Sequence, residues 1–542
     1  MSSNATVRFK VDGGKYALQK ASISLNDCLA CSGCITSAET ILISEHSSSA
    51  FSDFLLRNET EQVTNRSIIV VTLSPQSIVN LLAHTSHIPD SKLAKCFNYF
   101  KTKYSPPKPD ADTFRTFITS CFLSMGVHLV TDVTWARDIC LYEAGSEFIK
   151  HSIKHNGCTE TMPLFSSICP GWICYAEKGS GSSVNSTSNE FSILPYISRI
   201  RSPQQIAGKI IKLLGEEKCF HVSIMPCFDK KLEASRDEFS VQSNISNSRI
   251  PDVDLVLATN ELLCLLESFC HEFEGAVHFS PSTHITEISE SHKVILSRLC
   301  KVFRVKLPEQ QNICNKLDSM TFVDENILPM YRHNGSGSGG YAAYIFRIAA
   351  KELFSINLNC NIIEDEHVII RQLQNRDLQE LLLFNTKEDR NMAASQLSSV
   401  SNRIPYRHLT ILPKPLLAFV IANGFRNIQT VVQYLRKMYQ VIKFDRQDQT
   451  KFKAMKSLYP FDYVEVMACP NGCLNGGGQI KEVFTQTNEM YTNLSVCEPM
   501  SNDLVQDLYA IVKSKDANLE CLRTSYRNIP KIEIINPSAL KW

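Results

Sequence analysis

Four cysteines in three widely separated motifs constrain the fold of this chain more than any other feature. They are Cys169 in SSICPGW, Cys227 in VSIMPCFDKKLEASR, and Cys469 and Cys473 in VMACPNGCLNGGGQ. Three of the four adjoin a proline, and each ends or follows an apolar run or sits in a turn. Strands that alternate with helices converge their carboxyl ends on one crevice. A fold that uses these residues together must therefore bring the middle of the chain against its C-terminal part. Four thiolates gathered there would hold one four-iron cluster. Gly476, Gly477 and Gly478 would let backbone pack against it, and Lys230 and Lys231 would offset the charge of cluster and thiolates, which is costly to bury uncompensated. Plainer readings exist: lysines of a solvated helix start, and a glycine run that is a helix-entry turn. Singly these suffice; jointly they must account for three separate Cys/Pro/Gly motifs.

A second constellation is local. DCLACSGC places Cys28, Cys31 and Cys34 in a C-x2-C-x2-C run. Each short gap turns the chain enough to aim successive sulfurs inward, and bacterial ferredoxins hold cubanes with such a run. Zinc sites generally pair two C-x2-C units across a longer spacer, so zinc fits less well; unliganded thiols are the third reading. Ala30, Ser32 and Gly33 let backbone amides approach the sulfurs. No cysteine precedes Cys28, and none follows Cys34 before Cys96. A fourth ligand must come from Cys96, a histidine such as His46 or a small molecule, or be absent, as in a three-iron or labile four-iron cluster.

The chain has 20 cysteines. MSSNATVRFKVDGGKYALQK has no apolar core of a signal peptide, so a reducing compartment is expected, with thiols and metal sites rather than disulfides. Cys96, Cys121, Cys140, Cys158, Cys264, Cys270, Cys300, Cys314, Cys360 and Cys521 are expected to be small buried hydrophobes. A net charge of +1 gives no global field toward nucleic acid or membrane. No apolar run approaches the roughly 18 residues of a spanning helix. Neither nucleic acid nor membrane is expected as a partner.

At 542 residues two or three domains fit. RSIIVVTLSPQSIVNLLAH (66–84) reads as strand, turn at Ser74-Pro75 and helix. DTFRTFITSCFLSMGVHLVTD (112–132) reads as helix, stop at Gly126 and strand. Short strands follow at 221–227 and 254–260, helices at 261–273 and 341–354, and 461–470 is a strand ending in a cysteine. This alternation predicts an α/β fold with mostly parallel sheets. KGSGSSVNSTSNE (178–190) reads as an exposed, mobile insertion. HNGSGSGG (333–340) lacks the terminal Gly-Lys-Ser/Thr of a phosphate loop and reads better as a close approach of backbone to a buried cofactor.

These motifs, with LPYISRIRSPQQIAGKIIK, SGGYAAYIFRIAAKELF and SLNDCLACSGCITSAE, resemble the iron-only hydrogenase family over nearly the whole chain, closest to its eukaryotic non-hydrogenase branch, the cytosolic iron–sulfur assembly factors of nuclear prelamin A recognition factor-like type. The resemblance implies a two-lobed iron-only-hydrogenase-like α/β fold of parallel sheets flanked by helices, preceded by a small ferredoxin-like cysteine head. It divides the chain into a head at 1–60, lobe 1 at 61–260, lobe 2 at 261–490 and a helical small-subunit-like tail at 491–542. It implies two 4Fe-4S clusters: an inner one on Cys169, Cys227, Cys469 and Cys473, the last matching the thiolate that bridges to the two-iron subcluster of hydrogenases, and an outer one on Cys28, Cys31 and Cys34. Met225, Met467 and Lys230 match residues around that two-iron site. The branch's fourth head cysteine lies upstream of the run and has no counterpart here, as a shortened N-terminus or a lost ligand would each produce.

Hydrogenases carry a proton-shuttling cysteine immediately before the position of Cys169, and here it is Ile168. Isoleucine transfers no proton, so the resemblance implies an assembly factor rather than an enzyme. Its implied partners are the P-loop scaffold ATPases, the cytosolic iron–sulfur targeting complex with its WD40 platform protein, and apo client proteins, in the cytoplasm with the nucleus as a second compartment. The terminal ALKW, ending in Trp542, resembles a tail by which clients dock to the targeting complex, with Lys541 where an acidic residue is usual. Two other classes stand beside this one: a redox enzyme with residual hydrogenase activity, and a structural nuclear protein with vestigial or zinc-filled cysteines.

Overall fold

The computed structural model describes residues 6–11, 15–20, 37–104, 110–154, 163–179, 191–242, 249–271, 288–305, 329–398, 400–444 and 459–528. Cys28, Cys31, Cys34, Cys158, Cys314, Trp542 and most of the 178–190 segment lie outside the described residues.

Nine strands build the two main sheets: β1 (Ile68–Leu73), β2 (Leu129–Asp132), β3 (Leu164–Phe165), β4 (Cys219–Met225), β5 (Leu255–Ala258), β6 (Val368–Gln372), β7 (Leu378–Leu383), β8 (Leu417–Asn423) and β9 (Tyr463–Met467). The first sheet has the order β2-β1-β4-β5 and is parallel throughout. The second has the order β6-β7-β8-β9-β3. Its β8–β9 and β9–β3 pairs are parallel, and its β6–β7–β8 side is antiparallel.

Helices follow the strands: α1 (Pro75–His87), α2 (Thr134–Lys154), α3 (Pro170–Gly179), α4 (Pro203–Gly215), α5 (Asp229–Ala234), α6 (Thr259–His271), α7 (Tyr341–Phe354) and α8 (Phe425–Phe444). The start of α1 shows why the sequence turns there. Ser74 Oγ accepts the Ser77 N–H at 3.2 Å and Pro75 occupies the first helical turn. Gly126, at φ +91°, lies just past the helix Asp110–Ser124, where the chain turns toward β2.

One hydrophobic core joins the sheets. Ile68 and Val70 of β1 and Phe419 and Ile421 of β8 belong to it, together with Ile139 and Phe148 of α2 and Ile345 and Phe346 of α7. The alternate residues, Ile69 and Val71 on β1 and Val420 and Ala422 on β8, face two other cores. This period of two on strands buried on both sides explains their continuous apolar runs. The sheets thus share one helical layer, and their strand ends open toward a common region.

Two expectations change. Cys264 and Cys360 are exposed, and Cys96 and Cys521 only part-buried, where burial was expected, and the last strand of the second sheet stops at Met467, so Cys469 lies two residues beyond it. Among the described residues no helix is long and apolar enough to cross a membrane.

Candidate metal centre

Three of the four dispersed cysteines follow a strand into a turn, and Cys473 lies just beyond, in the short helical turn Gly472–Asn475. Cys169 follows β3, and its carbonyl accepts the Ile173 N–H at 3.1 Å, which makes it the residue that opens α3. Cys227 lies two residues past β4, after Pro226 and just before α5. Cys469 and Cys473 flank a tight reversal in which Asn471 and Gly472 both adopt positive φ, +60° and +72°. Asparagine and glycine tolerate that conformation best. Asp377 fixes the reversal by accepting the Asn471 N–H at 2.8 Å, and a side chain at Gly472 would collide with Ser338 Oγ.

The two sheets are stitched together at these turns. Gly478 donates its N–H to the Pro226 carbonyl at 3.0 Å and accepts from Asn260 N–H at 3.0 Å. A Cβ at Gly476 would strike the Pro226 carbonyl, and one at Gly478 would come within 2.7 Å of the Ala258 Cβ. The close approach of the glycine run is therefore to the backbone beside Cys227, which sets that cysteine against Cys469 and Cys473. The loop 333–340 closes another side. Ser338 Oγ accepts the Cys473 N–H at 2.9 Å, and Gly337 has no room for a side chain beside Leu474. The loop is anchored to β9 through Glu465, which takes the Ser336 hydroxyl at 2.5 Å and the Ala342 N–H at 2.7 Å.

The four thiols are part-buried and sense one another. Burial pushes Cys169 up to about 12, and Cys473 adds to the rise. Cys227 rises well above its ordinary value through burial, then through Asp229, Cys469, Cys473 and Cys169. Cys469 is raised by burial, then by Cys169, Asp229 and Cys473. Cys473 is raised by burial but drawn back by the Ser338 hydroxyl, Lys230 and Arg137. Thiols so placed ionise together only when a cation is bound among them.

Among the described residues no group of three or more His, Cys, Asp or Glu side chains is close enough to hold a single metal ion. Thiolates on a cubane each bind a different iron and stand further apart than four on one zinc, so a single-ion site is not what a cubane requires. The Ala468 N–H already points to Cys169 Sγ at 3.3 Å, the kind of amide-to-sulfur bond that cluster ligands accept. Buried polar atoms near the site also lack partners: Gln479 Oε1 behind the glycine run, Asn423 Oδ1 beside Gly472, and Gln204 Oε1, whose amide holds the Lys230 carbonyl at 3.0 Å.

The two lysines have different tasks. Lys230 Nζ is held by both Glu233 oxygens at 3.0 Å and by the Ile168 carbonyl at 3.2 Å, and its charge reaches Cys473. Lys231 is buried against Glu261 Oε1 and the His46 carbonyl, each at 2.6 Å, and ties the N-terminal helical segment to α5. Neither is a solvated helix start. His46 has both ring nitrogens engaged, Nδ1 accepting from Val256 N–H and Nε2 meeting Ser235 Oγ, each at 3.1 Å. To serve as a fourth head ligand it would have to break one of these bonds. Cys96 is hydrogen-bonded to Cys270 and neighbours Cys121.

Three residues of the site escaped the motif reading. Asp229 is a buried carboxylate among the thiols, and a Cβ at Gly171 would come within 2.9 Å of its Oδ2. Its place two residues after Cys227 was the available signal. Ser338 belongs to the 333–340 loop read as an approach to a cofactor but was not singled out within it, and Arg137 is far in sequence from all four dispersed cysteines, so only the fold brings it in.

The iron only hydrogenase large subunit, C-terminal domain, is the family whose pattern matches residues 107–477. A protein of Rattus norvegicus named Cytosolic iron-sulfur assembly component 3 is 34% identical over 548 residues, covering 98% of this chain and 89% of that protein. One of Xenopus tropicalis, named Cytosolic Fe-S cluster assembly factor narfl, is 32% identical over 553 residues, covering 99% and 90%. Among solved structures, a variant of the FeFe-hydrogenase HydA1 from Chlamydomonas reinhardtii aligns with TM-score 0.51 at 19% identity, covering 88% of this chain and 98% of that one, a likeness of fold.

Proposed function

This chain belongs to the family of the iron-only hydrogenase large subunit, C-terminal domain, and on that premise we propose that it is a cluster-holding component of cytosolic iron–sulfur protein assembly. The observation that carries the reading is the meeting of Cys169, Cys227, Cys469 and Cys473 at the strand ends of two sheets. In support, relatives that match the chain almost end to end are named as assembly components and not as hydrogenases. The four are the ligands of an inner 4Fe-4S cluster. Cys28, Cys31 and Cys34 supply three ligands of an outer one.

A bound four-iron cluster supplies one-electron storage or is itself the cargo. The residues around it hold and shield it. The amide of Ala468 and the loop at 333–340 orient Cys169 and Cys473. Leu474, Met467 and Ile168 are apolar neighbours that limit water. At Ile168 the chain offers only a carbonyl, already taken by Lys230. A proton route through that side chain is therefore missing, which favours an adaptor over an enzyme. Strong ligation inside and weaker ligation outside suit a division of labour, with the outer cluster received from scaffold ATPases and delivered through the WD40-containing targeting complex to apo clients in the cytoplasm.

Anaerobic iron and sulfide quantitation with electron paramagnetic resonance tests the reading. Roughly eight irons per chain mean two cubanes, and roughly four mean the inner one alone. Zinc without acid-labile sulfide would falsify it. Carbon monoxide and cyanide bands in the infrared would replace it with a hydrogenase-type enzyme. A chelator is expected to strip the outer cluster first, and loss of both at one rate would defeat the division of labour.

A further inference from the structure

Arg137, on α2, is only 3% exposed. Its Nη1 donates to the Tyr491 hydroxyl at 3.3 Å, while Nε and Nη2 have no acceptor. The adjacent Asp138 is already engaged, by the Tyr331 hydroxyl at 2.9 Å and by His333 Nε2. A permanently charged group buried with donors unused is costly, so the position implies an acceptor that the described polypeptide does not supply.

Its surroundings identify that acceptor. The Arg137 side chain packs against the glycine loop, where a Cβ on Gly339 would lie 3.0 Å from Arg137 Cδ. The neighbouring Ser338 is the residue that accepts the Cys473 N–H. Arg137 and Lys230 are two cations within electrostatic reach of Cys473. Lys230 is fully engaged by Glu233 and Ile168. Of the two, Arg137 has donors to spare.

We propose that Arg137 is the counter-cation of the inner cluster, a positioning residue whose Nε and Nη2 donate toward its Cys473 side and raise its reduction potential. The inference rests on the four inner cysteines being the ligands. Reduction adds an electron to a group that is already anionic, and a fixed cation in a water-poor site stabilises the reduced form more than the oxidised one. Donation to sulfur acts in the same direction.

The test uses the full chain in a Cys31→Ser background that silences the outer cluster, reconstituted anaerobically and titrated by electron paramagnetic resonance. Arg137→Met is expected to keep its iron and sulfide. Its reduced-to-oxidised ratio at a fixed potential is expected to fall about tenfold, which is about 59 mV for one electron. Arg137→Lys, which keeps the charge, is expected to recover most of that loss. A fully loaded Arg137→Met protein with an unchanged potential overturns the proposal. If that variant does not fold, pulsed resonance on otherwise native chain carrying heavy-nitrogen arginine reads the same contact. Hyperfine coupling of arginine nitrogen to the reduced cluster is expected, and its absence overturns the proposal. Failure of the arginine-bearing chain to bind any inner cluster is a separate result, which removes the ligand assignment itself.

Discussion

Cys227 shows what one residue contributes to the centre. It stands on the first sheet while Cys169, Cys469 and Cys473 come from the second, so its thiol is the single covalent link a cluster would make to that side. Cys227→Ser is expected to lower iron to about half in an otherwise loaded chain, with the outer cluster retained; equal iron in variant and parent would remove Cys227 from the ligand set. Two buried histidines govern a different property. Burial, helped by the Lys231 ammonium, lowers His46 to about 4, and burial with Lys212 lowers His221 to about 3. Unfolded histidine takes up its proton near 6.5, the folded ring only near these values. Their contribution is thus fully present above pH 6.5 and is lost as pH falls through 4 for His46 and through 3 for His221. For His46 the loss is about 3 kcal/mol, because the proton displaces the Val256 N–H from Nδ1. A urea series from pH 7 to pH 4 checks this, and His46→Gln is expected to flatten the slope. The cysteines were legible as residues because their Pro and Gly neighbours mark them. Arg137 and Asp229 were not, because a charge becomes functional only through what tertiary structure places beside it.

Among the elements, the glycine run is the most sensitive. Gly478→Ala puts a Cβ against Ala258, and Gly476→Ala puts one against the Pro226 carbonyl. Each is expected to cost about 1–3 kcal/mol by overpacking and, more tellingly, to lower inner-cluster iron per folded chain. Gly208→Ala, on α4 against the Asp252 backbone, is the control: a lower melting temperature with iron per folded chain unchanged. A loss of iron in the control equal to that in the glycine run would make the run merely structural. Local sequence announced several elements well. Ser74-Pro75 separates β1 from α1, and the helix read at 341–354 is α7 to the residue. β3 was not read as a strand, because two residues carry no period. It exists because Leu164 and Phe165 pair with Tyr463 and Val464, with a further bridge from Phe165 to Ile197. The glycine run was read as a cradle for a cofactor, and its tight contacts prove to be with backbone across the two sheets, a partner no local pattern encodes.

At the scale of the molecule, a single core spans both sheets and the four thiols close the same junction at its strand ends. Ligation at one point therefore reports on both halves. A loaded chain is expected to melt in one transition, and a chain stripped by chelator to melt earlier and in two, since a group that binds only the folded form adds its binding free energy to stability. Calorimetry with and without iron checks this; identical curves would mean that the junction holds without ligation. The pairing of β3 with β9 also bears on how the protein is made. Synthesis runs from the N-terminus, so β3 and the thiol beside it emerge early, whereas the strand that must flank them is among the last of its sheet to leave the ribosome. Until then β3 has no neighbour in its own sheet, and Cys169 waits for Cys469 and Cys473. The inner centre can be filled only after translation has passed Cys473, so the nascent polypeptide carries an incomplete sheet and an unligated Cys169 thiol through that interval.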